Sequence, residues 1–157
     1  MDAGAYLALK TLHIVSSTVL FGTGLGTAFH FWMAHRTGRP ETIAAAARTT
    51  VIADFVFTTP AVLVQPATGV ALALSAGHPL TSGWIAWALA LYAVAGLCWI
   101  PVVVIQLRLR RIAGDCARES RALTPAYHRL ARAWFLLGWP AFLALLAVFW
   151  LMVAKPA

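Results

Sequence analysis

The chain has 157 residues, of which 61% are hydrophobic and only 11% charged. A soluble domain of this length carries about 25% charged residues, so the excess apolar surface is surface meant for lipid. The net charge of +7 does not point to nucleic acid, because the basic residues are sorted along the chain rather than gathered into a patch.

A spanning helix needs roughly 20 apolar residues. Four stretches qualify, at about residues 6–33, 51–76, 84–107 and 134–153. Together they predict an all-α, four-helix transmembrane bundle that forms a single integral membrane domain over residues 1–157. Arg36, Arg39 and Arg48 lie between the first two stretches. Arg108, Arg110, Arg111, Arg118, Arg121, Arg129 and Arg132 lie between the last two. The middle connection, AGHPLTSG, carries no Lys, Arg, Asp or Glu. This alternation is the positive-inside pattern. It places both arginine-bearing connections in the cytoplasm and both termini outside (N-out/C-out), in a bacterial cytoplasmic (inner) membrane. Lipid headgroups, not nucleic acid, are the expected partners of the arginines. No secretory signal is expected, since the N-terminus lacks a basic region and the first apolar run continues too far.

The first stretch, YLALKTLHIVSSTVLFGTGLGTAFHFWMAHR, is apolar but not uniformly so. On a helix, Tyr6, Lys10, His13, Ser17, Gly24 and Thr27 share one stripe. A stripe of this kind faces other helices rather than lipid. Gly22 and Gly26 form a G-x-x-x-G pair, which permits close helix packing within the chain or in a homo-oligomer.

Arg39-Pro40-Glu41 reads as a turn into a short alanine-rich helix. The second stretch comes next and holds Asp54, Thr58, Gln65 and Thr68. An aspartate inside a membrane helix faces a partner. Arg48, Arg129, Arg132 or His30 would serve as an ion pair; proton transfer is the other reading. Pro60 and Pro66 interrupt this stretch and free backbone carbonyls, which membranes tolerate where they face protein or a cavity.

The third stretch carries Trp84 and Trp87, suited to the interface, then Tyr92, Trp99 and a kink at Pro101. Gln106 and Arg108 mark its boundary. Residues 108–132 read as an arginine-rich, amphipathic connector along the headgroups, with Thr124-Pro125 starting the next helix. Cys98 lies in the third stretch and Cys116 in the connector, and neither place favours a disulfide. No nucleotide-binding loop, zinc motif or nucleophile elbow is present.

Matching depths at about 1.5 Å per residue gives two polar levels. The outer one gathers Lys10, His13, Ser17, Gln65, Thr68 and Tyr92. The inner one gathers His30, Asp54, His128, Arg129 and Arg132, with His35 close by. A histidine in a helical bundle can ligate haem iron or simply bond a neighbouring helix. His13 and His30 are roughly 25 Å apart along one helix, too far to share an iron.

The segments YLALKTLHI, LFGTGLGTAFHFWMAHRTG, VIADFVFTTPAVLVQPATG, CWIPVVVIQLRLR and FLLGWPAFLALLAVFWLMVAKP resemble a family of uncharacterised bacterial integral membrane proteins classed as a domain of unknown function. The opening Y-L-x-x-K-x-x-H-I and the closing K-P are also similar to the four-helix membrane protoporphyrinogen oxidase (HemJ-type) family and, more loosely, to copper-resistance domains of the CopD type. Where the oxidase family has a tryptophan and a P-R-L element, this chain reads GTGLGTAFHFW. The second resemblance implies a haem with His13 as iron ligand and Lys10 beside it. With haem b at that level, Lys10, Gln65 and Tyr92 are expected to contact the propionates or tune the iron, and Ser17 and Thr68 to complete the site. The expected function is then electron transfer or an oxidase-like reaction, with quinone or another membrane redox protein as partner. The alternative is a non-enzymatic membrane protein without haem: a transporter, a metal-handling protein or an accessory subunit. With three methionines and no Met cluster, copper finds little support.

Overall fold

The computed structural model describes residues 1–156, and among these there is no strand. Helix α1 is Ala3–Arg36, α2 is Pro40–Ala53 and α3 is Thr59–Ser75, with a single π-turn, Asp54–Thr58, joining α2 to α3. Helix α4 is Gly83–Arg118 and α5 is Pro125–Ala154. The α2–π–α3 unit forms one rod of 36 residues, so four rods of 30–36 residues are long and apolar enough to cross a membrane.

Each rod starts and stops for local reasons. The Asp2 carboxylate accepts from Ala5 N at 2.8 Å and caps α1. Thr124 does the same for α5, accepting from Tyr127 N at 3.2 Å, with Pro125 in the first turn. At the end of α3, Gly77 takes φ +75°. Its N–H bonds Leu74 O, and His78 N bonds Ala73 O, closing a Schellman motif. Helix α4 ends in the same motif, but Ser120 stands where glycine is usual, at φ 48°.

The π-turn has a cause in the sequence. Pro60 has no N–H to continue the α-ladder. Just before it, the Thr59 N–H reaches back five residues to Asp54 O. Asp54 and Thr58, four residues apart on one face, are both buried.

The helices are longer than the apolar stretches that define them. The alanine-rich segment after Pro40 is continuous with the second span rather than a separate piece. Helix α4 carries on through Arg108, Arg110 and Arg111 to Arg118, leaving only residues 119–124 between α4 and α5. Cys116, expected in a connector, is fully buried on α4.

Packing is uneven. Helix α4 lies along α5, α1 lies along α2 and α3, and α2 crosses to α4. At the arginine-bearing end this closes a core of Phe31, Ile43, Ala47, Leu109, Ala113, Tyr127 and Trp134. Toward the opposite end the α1–α3 pair and the α4–α5 pair separate. Phe21 on α1 stacks on Phe142 of α5 at 4.9 Å and meets Phe149 edge-on at 5.3 Å. Elsewhere a gap remains. Gly22 and Gly26 do not mediate packing within the chain: a Cβ at either would meet nothing within 4 Å.

Candidate functional site

Two polar networks sit between the helices. The first centres on His13, half-buried on α1. Its Nδ1 lies 2.8 Å from Thr68 Oγ1, and its Nε2 lies 3.3 Å from Gln65 Nε2. The Gln65 amide nitrogen can only donate, so Nε2 is the acceptor and Nδ1 carries the proton. Thr68 passes its own hydroxyl hydrogen to Val64 O at 2.8 Å. Gln65 Oε1 accepts from the hydroxyl of Ser16, which is buried. Every member of the set is satisfied by a neighbour.

Of the outer residues expected to meet, the structure brings together His13, Gln65 and Thr68. Ser17 bonds Ile14 O of its own helix at 2.8 Å, and its place in the network is taken by Ser16. Lys10 is exposed. The Tyr92 hydroxyl donates to Val62 O at 2.8 Å, the carbonyl freed by Pro66. Tyr92, Gln65 and Ser17 do share a small cleft of about 20 Å³.

Haem ligation by His13 does not fit this arrangement. An iron ligand needs a free ring nitrogen and room for a flat macrocycle beside it. Both nitrogens of His13 are engaged by side chains of α3. The ring also packs on Gly69, so closely that a Cβ there would lie 3.1 Å from Cε1.

The second network centres on Asp54. No ion pair holds it, contrary to expectation. Gln106 Nε2 donates to Oδ2 at 2.7 Å and the Thr58 hydroxyl donates to Oδ1 at 2.9 Å. Gln106 in turn accepts from Trp134 Nε1 at 3.3 Å through its Oε1. Asp54, Gln106 and Trp134 are all buried, whereas His30, Arg48, Arg129 and Arg132 are exposed. Arg48, Arg129 and Arg132 lie where a long charged stem at the end of a rod can reach solvent. Gln106 marked a boundary in the sequence, but it lies inside because α4 continues past it by three turns. One turn before Asp54, the Thr50 hydroxyl is buried without a partner.

The remaining inner residues split. His128 joins His35 and Tyr127 in a three-ring cluster instead of meeting Asp54. His35 Nδ1 is 3.1 Å from the Tyr127 hydroxyl, and the His35 and His128 rings are 6.1 Å apart.

Asp54, Thr58 and Gln106 form the polar floor of a cavity of about 500 Å³. Its walls are Leu20, Phe21, Thr27, Val62, Tyr92, Trp99, Val102, Trp134 and Phe142, from all four rods. Its open side runs between α1 and α5, where the lining residues Leu25, Phe29, Trp32, Phe135 and Trp139 are exposed. Gly24 and Gly138 stand on the two lips, and a Cβ at either would meet nothing within 4 Å. The cavity is the gap left where the helix pairs separate, above the tight core.

Four long apolar rods, with exposed apolar side chains around the girth, define a multi-pass integral membrane protein. The chain belongs to the family described as "Predicted integral membrane protein (DUF2269)", which matches residues 7–156. No curated protein and no solved structure matches it.

Proposed function

We propose that the protein is an intramembrane receptor for a lipophilic small molecule that enters sideways from the bilayer, within the transporter and carrier class rather than the haem oxidoreductases. The cavity between the helix pairs carries this reading. Its volume of about 500 Å³ falls inside the roughly 300–1,000 Å³ of small-molecule sites, and such sites combine apolar walls with a few placed polar groups. Here the walls are aromatic and aliphatic and the polar groups sit together on the floor. A ligand dissolved in lipid reaches the gap between α1 and α5 without crossing water.

The haem expectation fixed on His13 is set aside because both ring nitrogens are bonded. No histidine lines the large cavity among the described residues. A quinone remains a candidate as a neutral member of the lipophilic class.

Trp99, Trp134 and Trp139 line the cavity and report on its contents. The protein in lipid nanodiscs is titrated with a short-chain quinone and with tetraphenylphosphonium while indole fluorescence is recorded. Saturable quenching by at least one of them is expected, and it should be abolished by Gly138→Phe, which fills the portal. Absence of saturable binding for both would overturn the reading. So would unchanged binding to the filled variant.

A further inference from the structure

We infer that the molecule held in this cavity is a lipophilic cation, which pairs with Asp54 and exchanges there with a proton. The inference rests on the receptor reading above and adds the charge of the ligand.

Trp134 begins the argument. An indole nitrogen can only donate, so the Gln106 atom facing it is the oxygen. The Gln106 amide nitrogen is thereby turned toward Asp54 Oδ2, at 2.7 Å. Thr58 supplies a donor to Oδ1 at 2.9 Å. Neutral donors therefore meet both oxygens, and that pattern suits a negative carboxylate. The aspartate is nevertheless 6% exposed and has no cation beside it. A buried carboxylate without a counter-charge is costly and takes up either a proton or a positive partner.

The surroundings leave both choices open to a ligand. No Lys, Arg or His lines the cavity among the described residues, and its titratable groups are Asp54 and Tyr92. Tyr92 is occupied with Val62 O. On the elements packed against the π-turn and its network, His30 of α1, Arg48 of α2, Arg108 of α4 and Arg129 and Arg132 of α5 are exposed and make no hydrogen bond with Asp54. The described ion pairs, Arg118–Asp115 and Arg121–Glu119, lie at the end of α4. The positive partner has to come from outside the chain.

The walls specify what kind of cation. A metal ion would need several ligating side chains, and Asp54 is the one carboxylate present. Trp99, Trp134, Trp139 and Tyr92 instead present aromatic rings, whose faces attract organic cations. The portal opens where lipid lies, which admits a cation wrapped in apolar groups. In the empty state the carboxyl group holds a proton, and the Thr58 hydroxyl can turn to accept from it. Binding the cation leaves the carboxylate ionised and sends that proton to water.

The test compares tetraphenylphosphonium with neutral triphenylphosphine oxide on the full chain in nanodiscs, for the native protein and for Asp54→Asn and Asp54→Glu. Tetraphenylphosphonium is expected to bind at least tenfold more tightly than the neutral compound and to release about one proton per cation in weakly buffered solution. Its affinity should rise by up to tenfold per pH unit while Asp54 is protonated. Asp54→Asn should lose the preference and Asp54→Glu should keep it. Proton release from the native protein needs no variant, so misfolding of Asp54→Asn would not spoil the test. Equal binding of both compounds, or binding of the cation without proton release, would overturn the charge assignment and leave the receptor reading standing. Binding of neither compound would overturn the charge assignment, and the receptor reading would then fall only if the short-chain quinone also failed to bind.

Discussion

The Tyr92 hydroxyl donates to the carbonyl of Val62 at 2.8 Å, across from α4 to α3. That carbonyl is bare because Pro66, one turn on, has no N–H to offer it. In lipid an unpaired carbonyl has no water to turn to. One side chain thus repairs a break in another helix and ties together the two helix pairs on either side of the cavity. Tyr92→Phe should destabilise the protein by about 1 kcal/mol. The effect should shrink to about a third of that in a Pro66→Ala background, where the residue 66 N–H bonds Val62 itself. Unfolding in mixed micelles, run on all four members of the cycle, measures the coupling. Equal losses in both backgrounds would refute it.

Gly69 and His13 form a second fitted pair. A Cβ on Gly69 would come within 3.1 Å of His13 Cε1, and the ring is pinned by bonds to Thr68 and Gln65. Gly69→Ala should therefore cost about 1 kcal/mol despite the better helix propensity of alanine. Once His13→Ala removes the ring, the same substitution should stabilise by about 1 kcal/mol, the ordinary helix gain. Gly24→Ala, which meets nothing within 4 Å, should stabilise in either background. A change of sign at residue 69 alone is the outcome that identifies the contact.

Thr50 is 1% exposed and its hydroxyl has no hydrogen-bond partner. It sits one turn before Asp54, on the rod that carries the cavity floor. Thr50→Val replaces the orphan hydroxyl with a methyl group of similar size. The expected result is a gain of about 1 kcal/mol, since the native residue gives up water and receives nothing in return. A loss of stability, measured by the same unfolding assay, would mean that the hydroxyl has a partner in the membrane.

The four rods were legible because span length is a coarse signal. The pairing of His13 with Gln65 and Thr68 comes from depth, which a rise of about 1.5 Å per residue specifies well. Rotation is harder to read. Ser16 and Ser17 differ by about 100° around α1, and the buried one is Ser16. At Asp54 the helical spacing already puts Thr58 on the same face, four residues on, but charge and depth point to basic partners instead. The expected arginines are out at the ends of long helices, and the partners that Asp54 does have, Gln106 and Thr58, carry no charge that would announce them. Gln106 could have been found from one signal: a glutamine embedded among the valines and leucines of α4 must bond to something.

His13 offers the most direct check on the chemistry. With Nδ1 donating to Thr68 and Nε2 accepting from Gln65, neither nitrogen is free for iron. Purified protein should show no b-type bands in oxidised or dithionite-reduced spectra, and added hemin should bind without stoichiometric saturation. His13→Ala should remove two hydrogen bonds and leave Thr68 and Gln65 short of a partner, at about 2 kcal/mol in stability. Its binding of lipophilic probes in the large cavity should be unchanged, because His13 does not line it. A Soret band lost in His13→Ala would overturn the bonded-histidine assignment. It would require Gln65 to swing away from Nε2, the His13 ring to lift off Gly69, and the small cleft beside Tyr92 to open.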